Sequence, residues 1–338
     1  MAKPMIRDLS GGETITAPFL VREAELVPFR NKPGRYLNLR LADRTGELVA
    51  RMWEGGEEWA EALAPGPVVE VVGQVQEYQG SLQLVVRSLR LCAPEEYDWA
   101  DLVPTSDRPV EEMLAELGKL VDQVGEPHLR ALLEAIFGDE EFLERFAQAP
   151  GASRLHHACR GGLLEHTLAV ARLCGQAAAD HPELNPDLLL AGALLHDVGK
   201  MEEITPGPPW DYSDAGQFCG HVVLTDRFVM ERIARLPDFP VQWQLLLTHL
   251  LLSHHGELQW GAPVRPKLPE AFALHFADNL DAKVQIVEEF RASPEAGTGL
   301  WSRRHHALET SIYLGPTRAA PDPDEAGGGE TGTDPYEG

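Results

Sequence analysis

The stretch from residue 188 to 200 restricts the possible folds more than any other segment. Leucine and alanine fill residues 188–195 around one glycine, which predicts a helix that is apolar on nearly every side and therefore buried. This helix ends in His196 and Asp197, and Gly199 is expected to let the chain turn just beyond. A carboxylate at the buried end of an apolar helix is costly unless a cation or strong donors meet it. We therefore expect a metal site at this point.

The remaining candidate ligands lie on both sides of this pair, on separate predicted helices. His166 precedes it, whereas His221, the adjacent His254 and His255, and Asp278 follow it. Helices that each contribute one or two ligands to a bundle interior are a recurring way to build a metal site. The set offers nitrogen and oxygen ligands without a thiolate, which suits Mn, Fe, Co, Ni or Zn, and we expect Mn.

Seven candidate ligands exceed the needs of one catalytic ion but match two ions about 3.5–4 Å apart. Asp197 is the natural bridge, because its carboxylate has two oxygens and a central position. We assign the first ion to His166, His196, Asp197 and Asp278, and the second to Asp197, His221, His254 and, as an open option, His255. Adjacent helical residues point about 100° apart, so His254 or His255 can instead lie behind the ligands or face the substrate. Two such ions activate a bridging water and neutralise phosphoryl charge, which predicts phosphodiester hydrolysis.

The composition is that of a globular protein. At 338 residues, with 43% apolar and 24% charged residues, the chain is long enough for two domains. We find no apolar run near the roughly 20 residues that span a bilayer and expect no secretory signal. Four cysteines without CxxC spacing predict reduced thiols in a cytoplasmic protein. Cys219 precedes His221 by two residues but lacks the second thiol that would favour a zinc site.

The net charge of −24 argues against non-specific adhesion to nucleic acid or to an anionic membrane. The charge is unevenly distributed. Residues 1–92 contain 11 basic and 12 acidic side chains, whereas the remainder contains 18 basic and 41 acidic ones. The first part of the chain is therefore the only region that does not strongly repel a polyanion.

The first part also has strand character. Alternating or β-branched apolar residues occur in five runs, at 14–27, 36–41, 48–53, 68–76 and 82–91. A short helix is predicted over 57–63, between the third and fourth runs. This order is typical of an all-β OB-fold barrel, which we predict for residues 1–93, with another small barrel or sandwich as the alternative.

After a proline-containing linker over 94–109, the pattern becomes helical. Helices are predicted over 110–124, 128–137, 140–147, 162–179, 187–197, 218–235, 241–254 and 269–292. We expect an all-α bundle over 110–314. Residues 315–338 are rich in Gly, Pro, Asp and Glu, which predicts a disordered acidic tail whose role the sequence leaves open.

The order H…HD…H…HH…D, centred on HDVGK, resembles the HD-domain metal-dependent phosphohydrolase superfamily over roughly residues 150–292. The pair Gly220-His221, the run SHHG at 253–256 and the run ADNLDAK at 277–283 belong to this resemblance. The additional histidines favour the branch with two metals. With the OB-like front, the chain through about residue 314 is similar to the YhaM-type 3′–5′ exoribonucleases. LRLADRTG at 39–46, followed by Met-Trp at 52–53, supports this similarity.

This resemblance implies an enzyme that shortens RNA from the 3′ end and releases 5′-mononucleotides, with single-stranded DNA as an open second substrate. It also nominates Asp281 and Lys283 as neighbours of the site, with a solvated face or a local ion pair as the alternative. Asn279 is a candidate to orient a ligand or a water. Lys200 is the best candidate to contact a non-bridging phosphate oxygen, and its alternative role is a favourable charge at a helix C-terminus.

The predicted barrel supplies a second group of candidates. OB-fold surfaces stack bases on aromatic side chains along a groove with basic flanks. The residues of this kind are Tyr36, Trp53, Tyr78, Arg30, Lys32, Arg35, Arg40, Arg44 and Arg51. Each aromatic taken singly is more often a core residue than a stacking surface. A strand-binding front joined to a phosphodiesterase predicts a nuclease that feeds a strand end into a metal pocket.

Two other functions remain in view. One is an HD phosphohydrolase of a small nucleotide, such as a dNTP, a cyclic dinucleotide or an alarmone, against which the OB-like front argues. The other is a non-catalytic nucleic-acid-binding regulator, whose mark would be missing ligands, whereas all seven positions here hold competent residues. We expect no membrane partner, and the sequence leaves a homo-oligomer open.

Overall fold

The computed structural model describes residues 4–29, 32–59, 62–63, 66–78, 80–153, 157–208, 210–293, 296–297 and 299–315. The chain divides into two compact units, one up to Ala282 and one from Lys283 onward. The first unit contains both a barrel and a helical bundle. Among the helices described, none combines enough length and apolar character to cross a lipid bilayer.

The barrel consists of five strands, β1 (Thr14–Pro28), β2 (Arg35–Asp43), β3 (Gly46–Met52), β4 (Val68–Tyr78) and β5 (Ser81–Leu91). They close in the order β1-β2-β3-β5-β4, with β3 and β5 parallel and the other neighbours antiparallel. A register shift after Val21 lets the long β1 pair with β4 through its first half and with β2 through its second half. The predicted OB-fold is confirmed.

Alternation of apolar and polar residues explains why these strands close around a core. The side chains of Phe19, Leu37, Leu39, Leu41 and Leu84 are fully buried inside the barrel. The predicted helix over 57–63 is shorter than expected. A 3-10 turn covers Glu57–Trp59, and residues 60 and 61 lie outside the described part of the chain.

The predicted linker is packed rather than free. Leu102 and Val103 are buried against Leu20 and Val68 of the barrel, in one small apolar cluster. Further along, Thr105 forms an isolated parallel bridge with Arg160. This segment therefore holds the barrel to the helical bundle inside the first unit.

The helices are α1 (Val110–Gln123), α2 (Pro127–Phe137), α3 (Glu140–Gln148), α4 (Gly162–Asp180), α5 (Pro186–Leu195), α6 (Lys200–Glu203), α7 (Asp214–Ile233), α8 (Val241–Ser253) and α9 (Pro269–Ala292). The eight predicted helices are all present, and the main deviation is the earlier start of α7. The four-residue α6 was missed, since one turn is too short to show an apolar period. One apolar core joins residues of α1 to α5 and α7 to α9.

The central helix α5 is buried, as its composition predicts. The side chain of Asn185 accepts a hydrogen bond from the Leu188 backbone N–H at 3.0 Å, and Pro186 occupies the first turn, so the helix start is well specified. Leu189 and Leu195 are fully buried. Each such leucine stabilises the fold by about 1.5–3 kcal/mol relative to an exposed position.

The prediction about Gly199 is wrong in its mechanism. Its backbone is right-handed helical, with φ −66° and ψ −15°, so it makes no special turn. Glycine is required there because a Cβ would lie 2.4 Å from the backbone N of Thr225 and 2.5 Å from the carbonyl O of His221. Helix α7 thus packs directly on the chain beside Asp197.

The second unit contains a feature that the sequence did not suggest. Strands β6 (Trp301–His305) and β7 (Thr310–Tyr313) form an antiparallel hairpin, so the expectation of purely helical structure up to residue 314 is wrong. Apolar and polar residues alternate only weakly along these short strands, so the sequence did not predict them. Arg303, Arg304 and Thr310 are exposed. The predicted disordered tail, apart from Gly315, lies outside the described residues.

We predict that Gly199→Ala lowers the free energy of unfolding by about 1–3 kcal/mol, the usual cost of overpacking. The matched control is Gly118→Ala at an exposed position of α1, where nothing lies within 4 Å of the added methyl. This control should stabilise the protein by about 0.5–1 kcal/mol through helix propensity. Urea denaturation measures both. Equal effects of the two substitutions would contradict the packing account.

Candidate functional site

The other six predicted ligands gather around the carboxylate of Asp197, and its two oxygens face different sets. Oδ2 lies 3.4 Å from Nε2 of His166 and 3.3 Å from Nε2 of His196. Oδ1 lies 3.4 Å from Nε2 of His221 and 3.7 Å from Nε2 of His254. A single side chain therefore separates two groups of nitrogen atoms.

The last two predicted ligands complete these groups. Oδ1 of Asp278 lies 3.2 Å from Nε2 of His166 and 3.9 Å from Nε2 of His196, on the Oδ2 side of Asp197. Nε2 of His255 lies 3.2 Å from Nε2 of His221, on the Oδ1 side. The geometry thus groups the residues as the two-ion assignment from sequence does, with both His254 and His255 beside the second group.

The five histidines share one orientation. In each ring Nδ1 faces an acceptor oxygen at 2.7–2.9 Å, so Nδ1 carries the proton and Nε2 keeps a lone pair in the neutral ring. The acceptors are Asp281 for His166, the Ala193 carbonyl for His196, Glu203 for His221, the Leu251 carbonyl for His254 and the Trp260 carbonyl for His255. Such partners fix the tautomer and the ring plane of metal-binding histidines.

The donor set fits divalent cations. Lone pairs of Nε2 atoms that face each other at 3.2–3.3 Å repel unless a proton or a cation lies between them. Within the described part of the chain, Oδ1 of Asp197 and Nε2 of His254 are buried and have no hydrogen-bond partner. Unpartnered buried polar atoms are costly, and cations would satisfy both. The ligands would be His166, His196, Asp197 and Asp278 for one ion, and Asp197, His221, His254 and His255 for the other.

The electrostatics of the cluster follow from burial and from its charges. Burial alone would raise the pKa of Asp197, but Lys200 and His196 hold it well below its usual value, so the carboxylate is charged. Burial and the neighbouring His255 and His196 lower the pKa of His254 well below its usual value. Burial opposes protonation of His166 as well, but three surrounding carboxylates raise its pKa. His254, on the Oδ1 side, is thus available as a neutral imidazole ligand.

Lys200 lies against the same carboxylate. Its Nζ is 2.7 Å from Oδ2 of Asp197, and its side chain is almost entirely buried. Burial would lower the pKa of Lys200, whereas Asp197 raises it, so the ammonium stays charged. The residue opens α6 instead of closing α5, and its partner is a carboxylate rather than the carbonyls of a helix end.

Carboxylates lie behind two of the ligands, and of these the sequence nominated only Asp281, through the family resemblance. Oδ2 of Asp281 lies 2.7 Å from Nδ1 of His166 and 3.0 Å from Nε2 of the buried His157. Glu203 accepts hydrogen bonds from both the backbone N–H and Nδ1–H of His221, at 2.9 Å each. This double contact follows a break in α7 at Gly220, where φ is +70°. In the sequence, the glycine before a predicted helix start indicated His221 as a site residue. No sequence signal indicated Glu203 or His157.

The other nominated neighbours have different surroundings. Asp281 faces two histidines, so its position is behind a candidate ligand rather than on an open surface. Asn279 is half-buried, and its side chain makes no hydrogen bond within the described ranges. Lys283 is exposed and belongs to the second unit. Cys219 is not part of any converging group of metal-ligand atoms among the residues described.

On the barrel, three rings form a cluster that we call the aromatic face: Phe29, Tyr36 and Trp53. Tyr36 and Trp53 have ring centroids 4.7 Å apart, and Phe29 lies 5.4 Å from Tyr36 and 6.1 Å from Trp53. The guanidinium of Arg51 lies between Trp53 and exposed Tyr78, about 6 Å from each ring. Tyr36, Trp53 and Tyr78 are thus near-surface residues rather than core ones. Phe29 was missed because it follows the strand, beyond the alternating pattern.

The predicted basic residues separate into different positions. Lys32 lies with its Nζ 4.0 Å from the centre of the Phe29 ring, so it joins the aromatic face together with Arg51. Arg40 instead forms ion pairs with Glu23 and Glu47, at 3.5 Å each. Arg35 and Arg44 are exposed but lie at opposite ends of β2. At about 3.3 Å per residue, this strand separates them by roughly 30 Å. Arg30 lies outside the described residues.

Comparison with known proteins provides further evidence about the family of this chain. A family model described as "HD domain" matches residues 163–283, and one described as "OB-fold nucleic acid binding domain" matches residues 21–91. The protein named 3′–5′ exoribonuclease YhaM from Bacillus subtilis (strain 168) is 30% identical over 310 residues, which cover 90% of this chain and 96% of that protein. The chain belongs to the YhaM family.

A second YhaM protein, from Shouchella clausii (strain KSM-K16), is 30% identical over 314 residues and covers 92% of this chain and 96% of its own length. Among solved structures, a domain of replication protein A from Methanococcus maripaludis aligns with 27% of this chain and 94% of its own, at 26% identity and a TM-score of 0.23. This TM-score is too low to support a structural relationship. The YhaM-family match therefore rests on the sequence relatives and the two family models.

We predict that Asp281→Asn weakens Mn²⁺ binding by about 10–100-fold, because the substitution loosens the acceptor that orients His166. Isothermal titration calorimetry of the metal-stripped protein measures this affinity. The matched control is Glu288→Gln, an exposed carboxylate on the same helix, which should bind Mn²⁺ as the unsubstituted protein does. Unchanged affinity in Asp281→Asn would assign this carboxylate no role in orienting the ligand.

Proposed function

We propose that this protein is a metal-dependent 3′–5′ exoribonuclease that hydrolyses single-stranded RNA to 5′-mononucleotides and uses two divalent cations, with Mn²⁺ as the expected ion. The two opposed Asp197 oxygens, each facing its own group of Nε2 atoms, are the observation on which the two-ion assignment rests. Direction and RNA preference rest on the names of the YhaM relatives, and the mononucleotide product rests on the family resemblance.

The residues of the site have distinct roles in this proposal. When bound, paired divalent cations supply an activated water and neutralise charge on the phosphoryl group. Asp197 stays ionised because its pKa is low, so it would provide a negative ligand to both ions. The Nδ1 acceptors hold each imidazole with Nε2 toward the centre. Lys200 keeps its proton and supplies a fixed positive charge that can stabilise a non-bridging phosphate oxygen.

The barrel supports a strand rather than a small nucleotide as substrate. The aromatic face offers ring surfaces on which successive bases can stack, and Lys32 and Arg51 add positive charge beside these rings. Single-stranded DNA offers the same bases and phosphates, so it is a second candidate substrate. The presence of all seven candidate ligands in one cluster supports an enzyme over a non-catalytic regulator.

We predict that Asp197→Asn lowers Mn²⁺-dependent hydrolysis of single-stranded RNA by more than about 100-fold, since loss of a mere supporting partner already costs 10–100-fold. Affinity for the strand, measured without metal, should change little because the barrel is untouched. Gel analysis of a 5′-labelled RNA gives both rate and direction. A ladder that shortens from the 3′ end is expected for the unsubstituted protein. Hydrolysis at an undiminished rate in Asp197→Asn would refute the assignment.

A second substitution tests the aromatic face. Trp53→Leu should weaken RNA binding by about 1–3 kcal/mol, the typical contribution of one stacked base. Tyr313→Leu is the matched control, because this ring is exposed but lies in the hairpin of the second unit. Fluorescence anisotropy of a labelled RNA in EDTA measures the dissociation constants. Equal affinities of the two variants would argue against base stacking at the barrel.

A further inference from the structure

A cavity of about 200 Å³ borders the candidate metal centre. Lys200 lines it, and the same side chain contacts Asp197 at 2.7 Å, so the cavity and the metal centre share one residue. The other walls come from the packed linker, from the end of α3 and from the loop after α6. The roles proposed for the metal-site residues do not require this cavity.

The charge of the cavity is opposite to that of the chain. Arg145, Arg160 and Lys200 line it, and no acidic side chain among the residues that the structure describes does, although the net charge of the protein is −24. Arg145 is exposed and makes no ion pair among the described residues. Arg160 is half-buried; burial lowers its pKa and the nearby Asp98 opposes that shift, but no carboxylate lies within ion-pair distance in the described ranges. An anion entering this cavity would therefore meet guanidinium groups that are not already neutralised.

Two tryptophans complete the cavity wall. Trp99 and Trp210 are partly buried and pack on the apolar cluster that joins linker and barrel, so their rings are held in place. The Arg160 guanidinium lies 5.8 Å from the centre of the Trp99 ring. The backbone of Arg160 is held as well, because its N–H donates to Pro104 and its carbonyl accepts from Ser106, at 2.9 Å each. Fixed rings beside unpaired arginines are the chemistry that binds a base together with its phosphate.

We propose that this cavity binds one nucleotide of the single strand next to the metal centre, with its base against Trp99 or Trp210 and its phosphates on Arg145 and Arg160. The inference rests on the proposed function, because it places a nucleotide of the same substrate. It also gives the packed linker a purpose, since that segment supplies Trp99 and holds Arg160.

Salt dependence separates a phosphate contact from a merely structural role. In EDTA, where no hydrolysis occurs, anisotropy of a short fluorescent single-stranded RNA gives the dissociation constant between about 50 and 200 mM KCl. Removal of one phosphate contact should lower the slope of log K against log salt by about 0.7. We expect this decrease for Arg145→Gln and for Arg160→Gln. The control is Arg227→Gln on α7. Arg227 is exposed, has no ion pair within the described part of the chain and does not line the cavity, so this variant should keep the slope of the unsubstituted protein.

The tryptophan contributes differently. Trp210→Leu should raise the dissociation constant about five- to 150-fold without a change of slope, because stacking is not an ionic contact. Circular dichroism melting checks that each variant is folded. If Trp210→Leu does not fold, Trp210→Phe and the two arginine variants complete the test. Unchanged slopes and dissociation constants in the folded variants would overturn the proposal, as would a failure of the unsubstituted protein to bind the strand.

Two further outcomes are distinguishable. If Arg160→Gln weakens binding of labelled 5′-adenosine monophosphate but leaves strand affinity and slope unchanged, the cavity takes a free nucleotide and the proposal is wrong. If the slopes fall as expected but Mn²⁺ produces no RNA cleavage, the cavity assignment stands and the proposed function fails. These readouts are independent because binding is measured without metal.

Discussion

The structure depends on one buried charge, the carboxylate of Asp197. Taking an ionised carboxylate out of water is expensive unless cations or donors compensate. Here Lys200 contacts one oxygen, and imidazole nitrogens from four helices surround both. Because the two oxygens point to different groups, a single residue can organise two ligand sets. Four helices of the bundle bring these sets to one point.

The backbone near Asp197 places the ligand-bearing helices close to its carboxylate. Asn185 and Pro186 set the start of α5, which delivers His196 and Asp197 at its buried end. Gly199 lets α7 pack directly on the chain beyond, and the break at Gly220 turns His221 toward the cluster. Local close packing, rather than a special turn, is what this part of the motif specifies.

Helical period and strand alternation predicted most elements, since both report which side of an element is buried. The seven candidate ligands were also readable, because histidine and aspartate are out of place on apolar helices. Glu203 was not, because it looks like an ordinary surface carboxylate until its histidine partner is known. Asp281 was nominated only through the family resemblance, and its contact with two histidines was not predicted. The basic residues proposed to line the barrel groove were predicted less well, for a related reason. Arg40 is neutralised by two glutamates whose approach depends on strand register, which the sequence alone does not show.

The central claim is that the two oxygens of Asp197 bind two separate cations. Anomalous X-ray diffraction at the manganese edge, on crystals of the protein loaded with Mn²⁺, tests it most directly. The account predicts two peaks about 3.5–4 Å apart, one on each side of the Asp197 carboxylate and each next to its own histidines. A single peak, or peaks that do not contact this carboxylate, would contradict it.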